Sequence, residues 1–280
     1  MKPLIHEPRV VITGASTGIG RGLALHLAKQ YKAKMVLTAR SQNDLETCRD
    51  LVLKAGGQAE IVVGNLIDEA VCTQLVPLCA ATYGGIDMLV NNAGMAIPGP
   101  FGERNIEDWR KLFELNFFAP LKLTYEALPY LKQSKSPKLV NISSVAGKIA
   151  FPGSVSYCAS KFALTGLSEG LAAELDNQVD VLTVCPGWVR TEFFEKNLVP
   201  GSRNPTVMAE QNNPRGLFMR YFLSMSTADC VKAIVKALAK GGSQELILTM
   251  PGQIAERLHG LAPQIMRGIA RRVPASYNHD

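Results

Sequence analysis

Strand-like and helix-like segments alternate along most of this chain, and the alternation limits the folds it can adopt. Several strand-like runs are almost entirely apolar, which is typical of parallel strands covered by helices on both faces. Seven runs qualify as strands: residues 9–14, 34–40, 59–65, 88–94, 138–144, 179–187 and 245–250. The pattern predicts an α/β fold with a doubly wound, seven-stranded parallel sheet flanked by helices. In that architecture, ligands bind beyond the carboxyl ends of the strands.

The chain is predicted to form a single domain over residues 1–280, because no repeat, low-complexity tract or Pro/Ser-rich linker divides it. Apolar residues make up 47% of the chain, which is enough for one large core. An insertion over residues 193–227 interrupts the pattern between the sixth strand and the next helix. A helical extension is predicted over residues 252–274.

Charge and cysteine content exclude several classes of protein. The net charge is only +6 and no run of five basic residues occurs, so nucleic acid is not an expected partner. The six cysteines are scattered without a C-x-x-C pair or a Cys/His cluster, so we expect buried thiols, no disulfides and no metal site. The sequence shows neither a signal peptide nor an apolar stretch near the roughly 18 residues of a spanning helix. We therefore expect a cytoplasmic protein.

The first candidate strand runs into the glycine-rich segment TGASTGIG, and a helix is predicted to follow. Glycines spaced G-x-x-x-G-x-G at such a junction permit a tight turn and let the backbone approach a dinucleotide pyrophosphate. A simple tight connection is the alternative, but the strand before the turn and the helix after it favour phosphate binding. The predicted cofactor-binding residues here are Gly14, Ser16, Thr17, Gly18, Ile19 and Gly20.

Arg40 follows the second candidate strand, with Ala39 before it. An acidic residue at this place would bind the ribose 2′-hydroxyl of NAD, whereas a neutral residue followed by arginine suits the 2′-phosphate of NADP. The sequence therefore favours NADP(H) over NAD(H), and a solvated arginine at a strand end is the alternative. Hydroxyl groups that would assist are those of Ser16, Thr17 and Ser41.

Tyr157 and Lys161 stand four residues apart at the start of a predicted helix, in the segment SVSYCASKFALTG. Side chains at this spacing share one face of a helix. Such a pair also arises by chance, so its meaning depends on the segments around it.

Five segments occur together in one order: TGASTGIG, NNAG, NISSVAG, YCASK and PGWVRT. They resemble the motifs of the short-chain dehydrogenase/reductase family, strongly over residues 9–192. The segments TARS, ALPYLKQS and SSVAGKIAFP are most similar to its hydroxysteroid dehydrogenase branch. The resemblance implies a Rossmann domain that transfers a hydride between a nicotinamide cofactor and an alcohol or carbonyl group.

The resemblance implies a catalytic role for four residues. Tyr157 matches the general acid or base, and Lys161 matches the lysine that holds the nicotinamide ribose. The ammonium should lower the pKa of the tyrosine below its ordinary value of about 10. Ser144 matches the serine that hydrogen-bonds the carbonyl oxygen, and it fits the family spacing better than Ser143. Asn116 matches the asparagine whose helix backbone anchors a water linked to Lys161.

Further cofactor-binding residues are implied by the same match. The NNAG segment lines the adenine side of the cofactor and steadies the central strand, and the PGWVRT segment faces the nicotinamide carboxamide. The family usually has an aspartate contacting adenine where this chain has Asn65, whose amide can still form a hydrogen bond. The implied residues are Asn65, Leu66, Asn92, Ala93, Gly94, Pro186, Gly187, Val189 and Thr191, together with Tyr157 and Lys161.

The insertion and the extension each allow two interpretations. The insertion is rich in large apolar residues, so it would form either a lid over a lipophilic substrate or a helix packed onto the body. The amphipathic extension would dock on its own domain or a neighbouring subunit, or it would lie peripherally on an anionic membrane surface. The family resemblance also implies a homodimer or homotetramer, formed through the helices that contain Asn116 and Tyr157.

We therefore expect an NADP-dependent oxidoreductase that transfers a hydride between nicotinamide and a lipophilic secondary alcohol or ketone, either steroid-like or a lipid carbonyl. The alternative is an NADPH-binding regulatory or sensor protein on the same fold, without significant turnover. The complete set of Ser144, Tyr157 and Lys161 favours the enzyme, because a sensor has no need of acid–base residues.

Overall fold

The computed structural model describes residues 4–150, 152–190, 224–249, 252–254, 257, 261 and 264. Seven parallel strands form one sheet in the order β3-β2-β1-β4-β5-β6-β9. They are β1 (Arg9–Thr13), β2 (Lys34–Ala39), β3 (Gln58–Val63), β4 (Met88–Asn91), β5 (Lys138–Ile142), β6 (Asp180–Cys185) and β9 (Gln244–Ile247). The short strands β7 (Trp188–Arg190) and β8 (Ser224–Ser226) pair with each other in parallel. All seven predicted strands, and the doubly wound α/β class, are confirmed.

Helices cover both faces of the sheet. They are α1 (Gly18–Tyr31), α2 (Gln42–Lys54), α3 (Glu69–Cys72), α4 (Leu75–Tyr83), α5 (Ile106–Phe113), α6 (Ala119–Leu131), α7 (Val155–Glu174) and α8 (Thr227–Lys240). Successive strand residues face opposite layers: Val10 and Ile12 belong to a core with α1, α2 and α8, whereas Val11 belongs to a core with α3, α4 and α6. The near-continuous apolar character of the strands follows from burial on both faces.

The order of the strands places a crevice above β1 and β4. Strands β2 and β3 extend to one side of β1, whereas β5, β6 and β9 extend beyond β4 on the other side. At such a switch point the connections leave toward opposite faces, and a crevice opens at the carboxyl ends of the strands. The glycine-rich turn follows β1 and the NNAG segment follows β4, so both border this crevice.

Ion pairs hold the amino ends of the strands, at the opposite edge of the sheet. The Arg9 guanidinium donates to both carboxylate oxygens of Asp87, with Nε–Oδ2 and Nη2–Oδ1 distances of 2.7 and 2.8 Å. Asp87 also accepts a hydrogen bond from the Ser134 hydroxyl. The Lys138 ammonium pairs with Asp180 between the first residues of β5 and β6. These contacts stabilise the sheet at the edge away from the crevice.

All six cysteines are buried, as predicted. The base of the insertion is fixed by the β7–β8 pair and by Thr227, whose hydroxyl donates to Arg190 O at 3.0 Å. Residues 193–223 of the predicted lid lie outside the described residues, whereas 224–226 form β8. Most of the predicted extension over 252–274 also lies outside them; its described residues 252–254, 257, 261 and 264 are helical. In the described part of the chain, no helix is long and apolar enough to cross a membrane.

Candidate active site

The turn between β1 and α1 needs glycine for both conformation and space. Gly14 and Gly18 have φ angles of +63° and +56°, which residues with a Cβ rarely adopt. A Cβ on Gly20 would lie only 2.3 Å from Gly14 O. The Thr17 hydroxyl makes no capping bond to α1, so the first N–H groups of that helix remain available. A backbone cradle that side chains would fill, beside free helix N–H groups, fits a dinucleotide pyrophosphate. The predicted residues Ser16 and Ile19 are half-buried within this segment.

Asn92 and Thr13 fasten the glycine turn to the end of β4. Asn92 Nδ2 donates to Thr13 O and Gly14 O at 2.9 and 3.0 Å. Thr13 Oγ1 accepts from Asn92 N and Ala93 N, both at 2.9 Å. The Asn92 side chain therefore steadies the turn and the central strand. Sequence reasoning misses Thr13; a hydroxyl residue that ends an apolar strand just before a glycine turn is the signal that points to it.

Arg40 lies at the carboxyl end of β2, which is hydrogen-bonded to the turn through Ala15 N and Thr38 O at 3.1 Å. Arg40 is exposed, and no described residue forms an ion pair or hydrogen bond with its guanidinium. Ser41 caps α2, because its hydroxyl accepts from Asp44 N at 3.4 Å. The guanidinium is thus available to a ligand next to the glycine turn. The Ser41 oxygen already accepts the capping hydrogen bond of α2.

Asn65 lies beyond the carboxyl end of β3, in the position where the family usually has an aspartate. Its side chain is exposed, and Oδ1 accepts from Ile67 N at 3.3 Å. The Nδ2 group is not used in that bond and remains able to donate to a ligand. Leu66 is buried, so its side chain supports the loop from below.

Ser144 and Tyr157 meet beyond the carboxyl end of β5, where the Ser144 hydroxyl is near enough to the phenol to counteract the effect of burial on the Tyr157 pKa. The Ser144 oxygen also accepts from Ala146 N at 3.1 Å, which fixes its position at the start of a short 3₁₀ turn. Ser143 faces the other way: its hydroxyl lies 2.7 Å from Thr165 Oγ1 and donates to Lys161 O at 3.2 Å. The geometry therefore pairs Tyr157 with Ser144 and gives Ser143 a packing role.

Lys161 is one turn after Tyr157 on α7 and is almost completely buried. Its Nζ donates to Ile142 O at 2.9 Å and lies 5.9 Å from the centroid of the Tyr157 ring. A Cβ on Gly94 would lie 3.4 Å from the same Nζ, so the NNAG segment passes directly beside the ammonium. The predicted pair is brought together on one helix face, next to β4 and β5.

Burial dominates the protonation of both residues. It raises the pKa of Tyr157 to about 12, against the opposing effect of the hydrogen bond with Ser144. It lowers the pKa of Lys161 to about 8. The expected lowering of the tyrosine pKa by the ammonium is therefore not found in the chain alone. The physical reason is desolvation, which disfavours the charged form of each group and outweighs their attraction at this distance.

Asn116 lies in a π-helical turn, Glu114–Phe118, between α5 and α6. Its amide exchanges two hydrogen bonds with the backbone of Met95, from Met95 N to Oδ1 and from Nδ2 to Met95 O, both at 2.9 Å. Nδ2 also donates to Ser160 Oγ at 2.9 Å. The side chain therefore ties the loop after β4 to α7. A π turn alters the backbone bonding of a helix and often marks a functional site.

The segment after β6 lies beside the carboxyl end of β5. Pro186 O accepts from Val145 N at 2.9 Å, and Pro186 and Val189 are both buried. A Cβ on Gly187 would lie 2.5 Å from Thr249 Oγ1, so Thr249, which sequence reasoning misses, packs against this segment. Thr191 lies outside the described residues.

Comparison with known proteins fits this arrangement. The family model described as short chain dehydrogenase matches residues 8–199. The chain is a member of the short-chain dehydrogenase/reductase family. The chain is 31% identical to human dehydrogenase/reductase SDR family member 7 over 248 residues, which cover 86% of this chain and 70% of the relative. It is 32% identical to 11-beta-hydroxysteroid dehydrogenase-like 4A of Arabidopsis thaliana, over 83% of this chain and 73% of that protein.

Solved structures share the fold of this chain. A short-chain dehydrogenase/reductase from Burkholderia phymatum in complex with NAD matches with a TM-score of 0.79 and 25% identity, over 93% of this chain and 95% of that one. An alcohol dehydrogenase from the archaeon Thermococcus sibiricus, complexed with 5-hydroxy-NADP, matches with a TM-score of 0.71 and 22% identity, over 86% and 95%. The fold is therefore that of an oxidoreductase that binds a nicotinamide cofactor and acts on CH–OH or C=O groups.

Proposed function

We propose that this protein is an NADP-dependent oxidoreductase that interconverts a lipophilic secondary alcohol and its ketone. The observation that carries the proposal is the assembly of Ser144, Tyr157 and Lys161 beside the NNAG segment. These three side chains converge at the carboxyl ends of β4 and β5, in the crevice that the glycine turn enters from β1. A bound nicotinamide dinucleotide supplies the hydride.

Each protein group has one task in this reaction. The Ser144 hydroxyl and the Tyr157 hydroxyl would both donate hydrogen bonds to the substrate carbonyl oxygen, which gains negative charge in the transition state. Tyr157 then gives its proton to that oxygen, and in the reverse direction its phenolate accepts the proton. Lys161 would stabilise the phenolate left behind, because its ammonium lies behind the ring. Asn116 holds the loop at Met95 and thereby keeps the NNAG segment against Lys161.

The protonation states of the free enzyme favour reduction near neutral pH. A phenol with a pKa of about 12 is protonated there and serves as the acid. Oxidation needs the phenolate, so its rate should rise with pH, whereas reduction should fall once the Lys161 ammonium, with a pKa of about 8, loses its proton.

Arg40 supports the preference for NADP, because its guanidinium pairs with no described residue and lies at the carboxyl end of β2, next to the glycine turn. Replacing Arg40 with Gln should raise the KM for NADPH by about tenfold or more, since a charge-assisted bidentate contact is lost, and change the KM for NADH little. Initial rates with both cofactors measure this. Arg49→Gln is the matched control, since Arg49 is an exposed arginine of α2 that pairs with Asp50. An equal KM change for both cofactors would rule out recognition of the phosphate by Arg40.

The apolar insertion and the hydroxysteroid dehydrogenase-like relatives support a lipophilic substrate. A panel of steroid, long-chain and aromatic ketones, assayed by NADPH absorbance, tests this. Reduction of only small hydrophilic ketones would contradict it. The sensor alternative predicts tight NADPH binding without turnover of any member of the panel.

A further inference from the structure

The loop that connects β4 to α5 contacts elements of the candidate active site at two places. Its start is fixed at Met95, which exchanges two hydrogen bonds with Asn116. Farther along, Gly99 N donates to Gly153 O at 2.8 Å, just before α7 begins. Gly153 is four positions before Tyr157, so their Cα atoms are at most roughly 14 Å apart. A substrate whose carbonyl group meets Tyr157 can therefore extend to this loop.

Arg104 is seated on this loop in a place that only glycine at position 99 leaves open. Gly99 has a φ of +151°, and a Cβ there would lie 2.2 Å from Arg104 Nη2 and 2.4 Å from Nε. The guanidinium thus occupies the space in which a side chain of residue 99 would lie. Its Nε is enclosed and has no hydrogen-bond partner. The contact with Gly99 orients the guanidinium, because its enclosed Nε faces the loop.

No residue in the described part of the chain compensates the charge of Arg104. Arg9, Arg49 and Arg110 pair with Asp87, Asp50 and Glu107, respectively. The Arg104 side chain forms no ion pair or hydrogen bond with any described residue, and its two Nη groups are not enclosed. A half-buried guanidinium that is held in place but unpaired is suited to bind a carboxylate or phosphate group in two-point fashion.

We propose that Arg104 binds an anionic group of the substrate, a carboxylate or a phosphate, at a fixed distance from the reacting carbonyl. This inference rests on the proposed function and narrows its substrate class. The substrate would be amphipathic, with an apolar body between the carbonyl carbon at Tyr157 and an anionic end at Arg104. Arg104 is then a specificity residue and takes no part in proton transfer.

The test compares methyl-ketone carboxylates with their methyl esters, which match in length but carry no charge. The series has roughly four to eight methylene groups between the carbonyl and the carboxylate, to span the distance between Tyr157 and the loop. The matching methyl-ketone phosphates distinguish the two anions. The measured quantity is the ratio of kcat/KM for the acid to kcat/KM for the ester, with NADPH. At the best length we expect a ratio of about ten or more in the wild type, and a ratio near one in Arg104→Gln.

Two further variants separate binding from folding. Gly99→Ala removes the seat without removing the charge and should also lower the ratio, whereas Arg110→Gln removes an exposed, paired arginine of α5 and should leave it unchanged. If Arg104→Gln does not fold, Arg104→Lys and Gly99→Ala carry the test. A ratio near one for the wild type at every length, or a ratio that Arg104→Gln leaves high, would overturn the proposal. A purely structural role for Arg104 predicts equal losses on acid and ester.

A binding measurement keeps this inference distinct from the proposed function. NADPH fluorescence of the Tyr157→Phe variant, titrated with the keto acid, reports binding without turnover. We expect the Kd of the keto acid to rise by about tenfold when Arg104→Gln is added. If no ketone is reduced but this Kd responds to Arg104, the proposed reaction fails and the anion site stands. If ketones are reduced but neither the ratio nor the Kd responds, only the anion site fails.

Discussion

Desolvation shifts the protonation equilibria of Tyr157 and Lys161 toward their neutral forms. The free-energy cost of charging either group is therefore a property of the site. A half-buried phenol resists ionisation and a buried amine resists protonation, so the free enzyme has a neutral acid next to an amine with a pKa of about 8. Charge forms on the phenol only as the proton leaves for substrate. The ammonium then gains a close partner, so its stabilising effect is concentrated in the transition state.

Lys161→Met should stabilise the cofactor-free protein while it inactivates the enzyme. The pKa falls from 10.5 to about 8 on burial, so the charged form carries a penalty of up to about 3 kcal/mol. Part of this is offset by the lost hydrogen bond to Ile142 O, which leaves an expected gain of about 1–2 kcal/mol at pH 7.

The pH dependence of the stability difference between Lys161→Met and the wild type shows whether burial of the ammonium causes that difference. Because the folded pKa lies below the unfolded one, the unfolded chain binds more protons between pH 8 and 10.5, and wild-type stability rises over that range. The excess free energy of unfolding of Lys161→Met over the wild type should therefore decrease as the pH rises through that range. Urea denaturation at pH 7 and pH 10 measures it, with the exposed Lys54→Met as control. A Lys161→Met variant less stable than the wild type at pH 7 would show that burying the ammonium does not destabilise the fold.

At the level of the strands and helices, Asp87 links β1, β4 and the end of α6 at the edge of the sheet away from the crevice. Burial alone would raise the pKa of Asp87, but hydrogen bonds from Arg9 and Ser134 outweigh it and lower the pKa below its ordinary value. Such a group contributes stability that is present above about pH 4 and lost as the pH falls through the folded pKa.

Asp87→Asn should therefore destabilise the fold by about 2–3 kcal/mol at pH 7, since a buried partner of Arg9 loses its charge. The difference from wild type should narrow at pH 3.5. The kcat/KM should stay within about twofold, because Asp87 lies far from the crevice. Urea unfolding at both pH values, with the exposed Asp50→Asn as control, checks this. A constant difference at both pH values would show that lost packing, rather than the ion pair, causes the effect.

Sequence predicts the elements that depend on local pattern and misses those that depend on long-range contacts. The apolar runs identify all seven strands of the sheet, because burial on both faces leaves little room for polar residues. Nothing local marks the π turn at Asn116, since its geometry follows from the bonds with Met95 and Ser160 on other elements. The contact of the Arg104 guanidinium with Gly99 cannot be predicted from the sequence for the same reason.

The expected pKa of Tyr157 shows the same limit for electrostatics. The sequence places an ammonium one turn away, which alone would lower the pKa. Only the structure shows that both groups are desolvated and that the Lys161 ammonium donates to Ile142 O. The sequence shows that Lys161 is one helical turn from Tyr157. It does not show how far the fold buries the two side chains, which decides the pKa of Tyr157.

For the whole molecule, large apolar side chains are exposed on α6, on α7 and in the π turn before α6. Phe118, Tyr125 and Phe162 are 42%, 71% and 40% exposed, and Gly166 has nothing within 4 Å of the place where a Cβ would stand. We expect a homodimer or homotetramer through this face. Phe162→Asp should shift the protein to the monomer in sedimentation velocity runs at micromolar concentration, because a charge would be buried at the interface.

Leu53→Asp is the control for this experiment, because Leu53 is similarly exposed but lies on α2. It should leave the assembly unchanged. A monomeric wild-type protein, or an assembly that Phe162→Asp leaves intact, would exclude this face as the interface.

The most direct test of the proposed mechanism is the rate of hydride transfer in Tyr157→Phe, measured by single-turnover NADPH oxidation with the best ketone of the panel. Loss of the general acid should lower this rate by about 10²–10⁴-fold. The Kd for NADPH should change little, and Tyr83→Phe, which removes a phenol hydroxyl that donates to Met35 O away from the crevice, should behave as wild type. A Tyr157→Phe enzyme that transfers hydride at nearly the wild-type rate would contradict the account, because the proton would then come from another group.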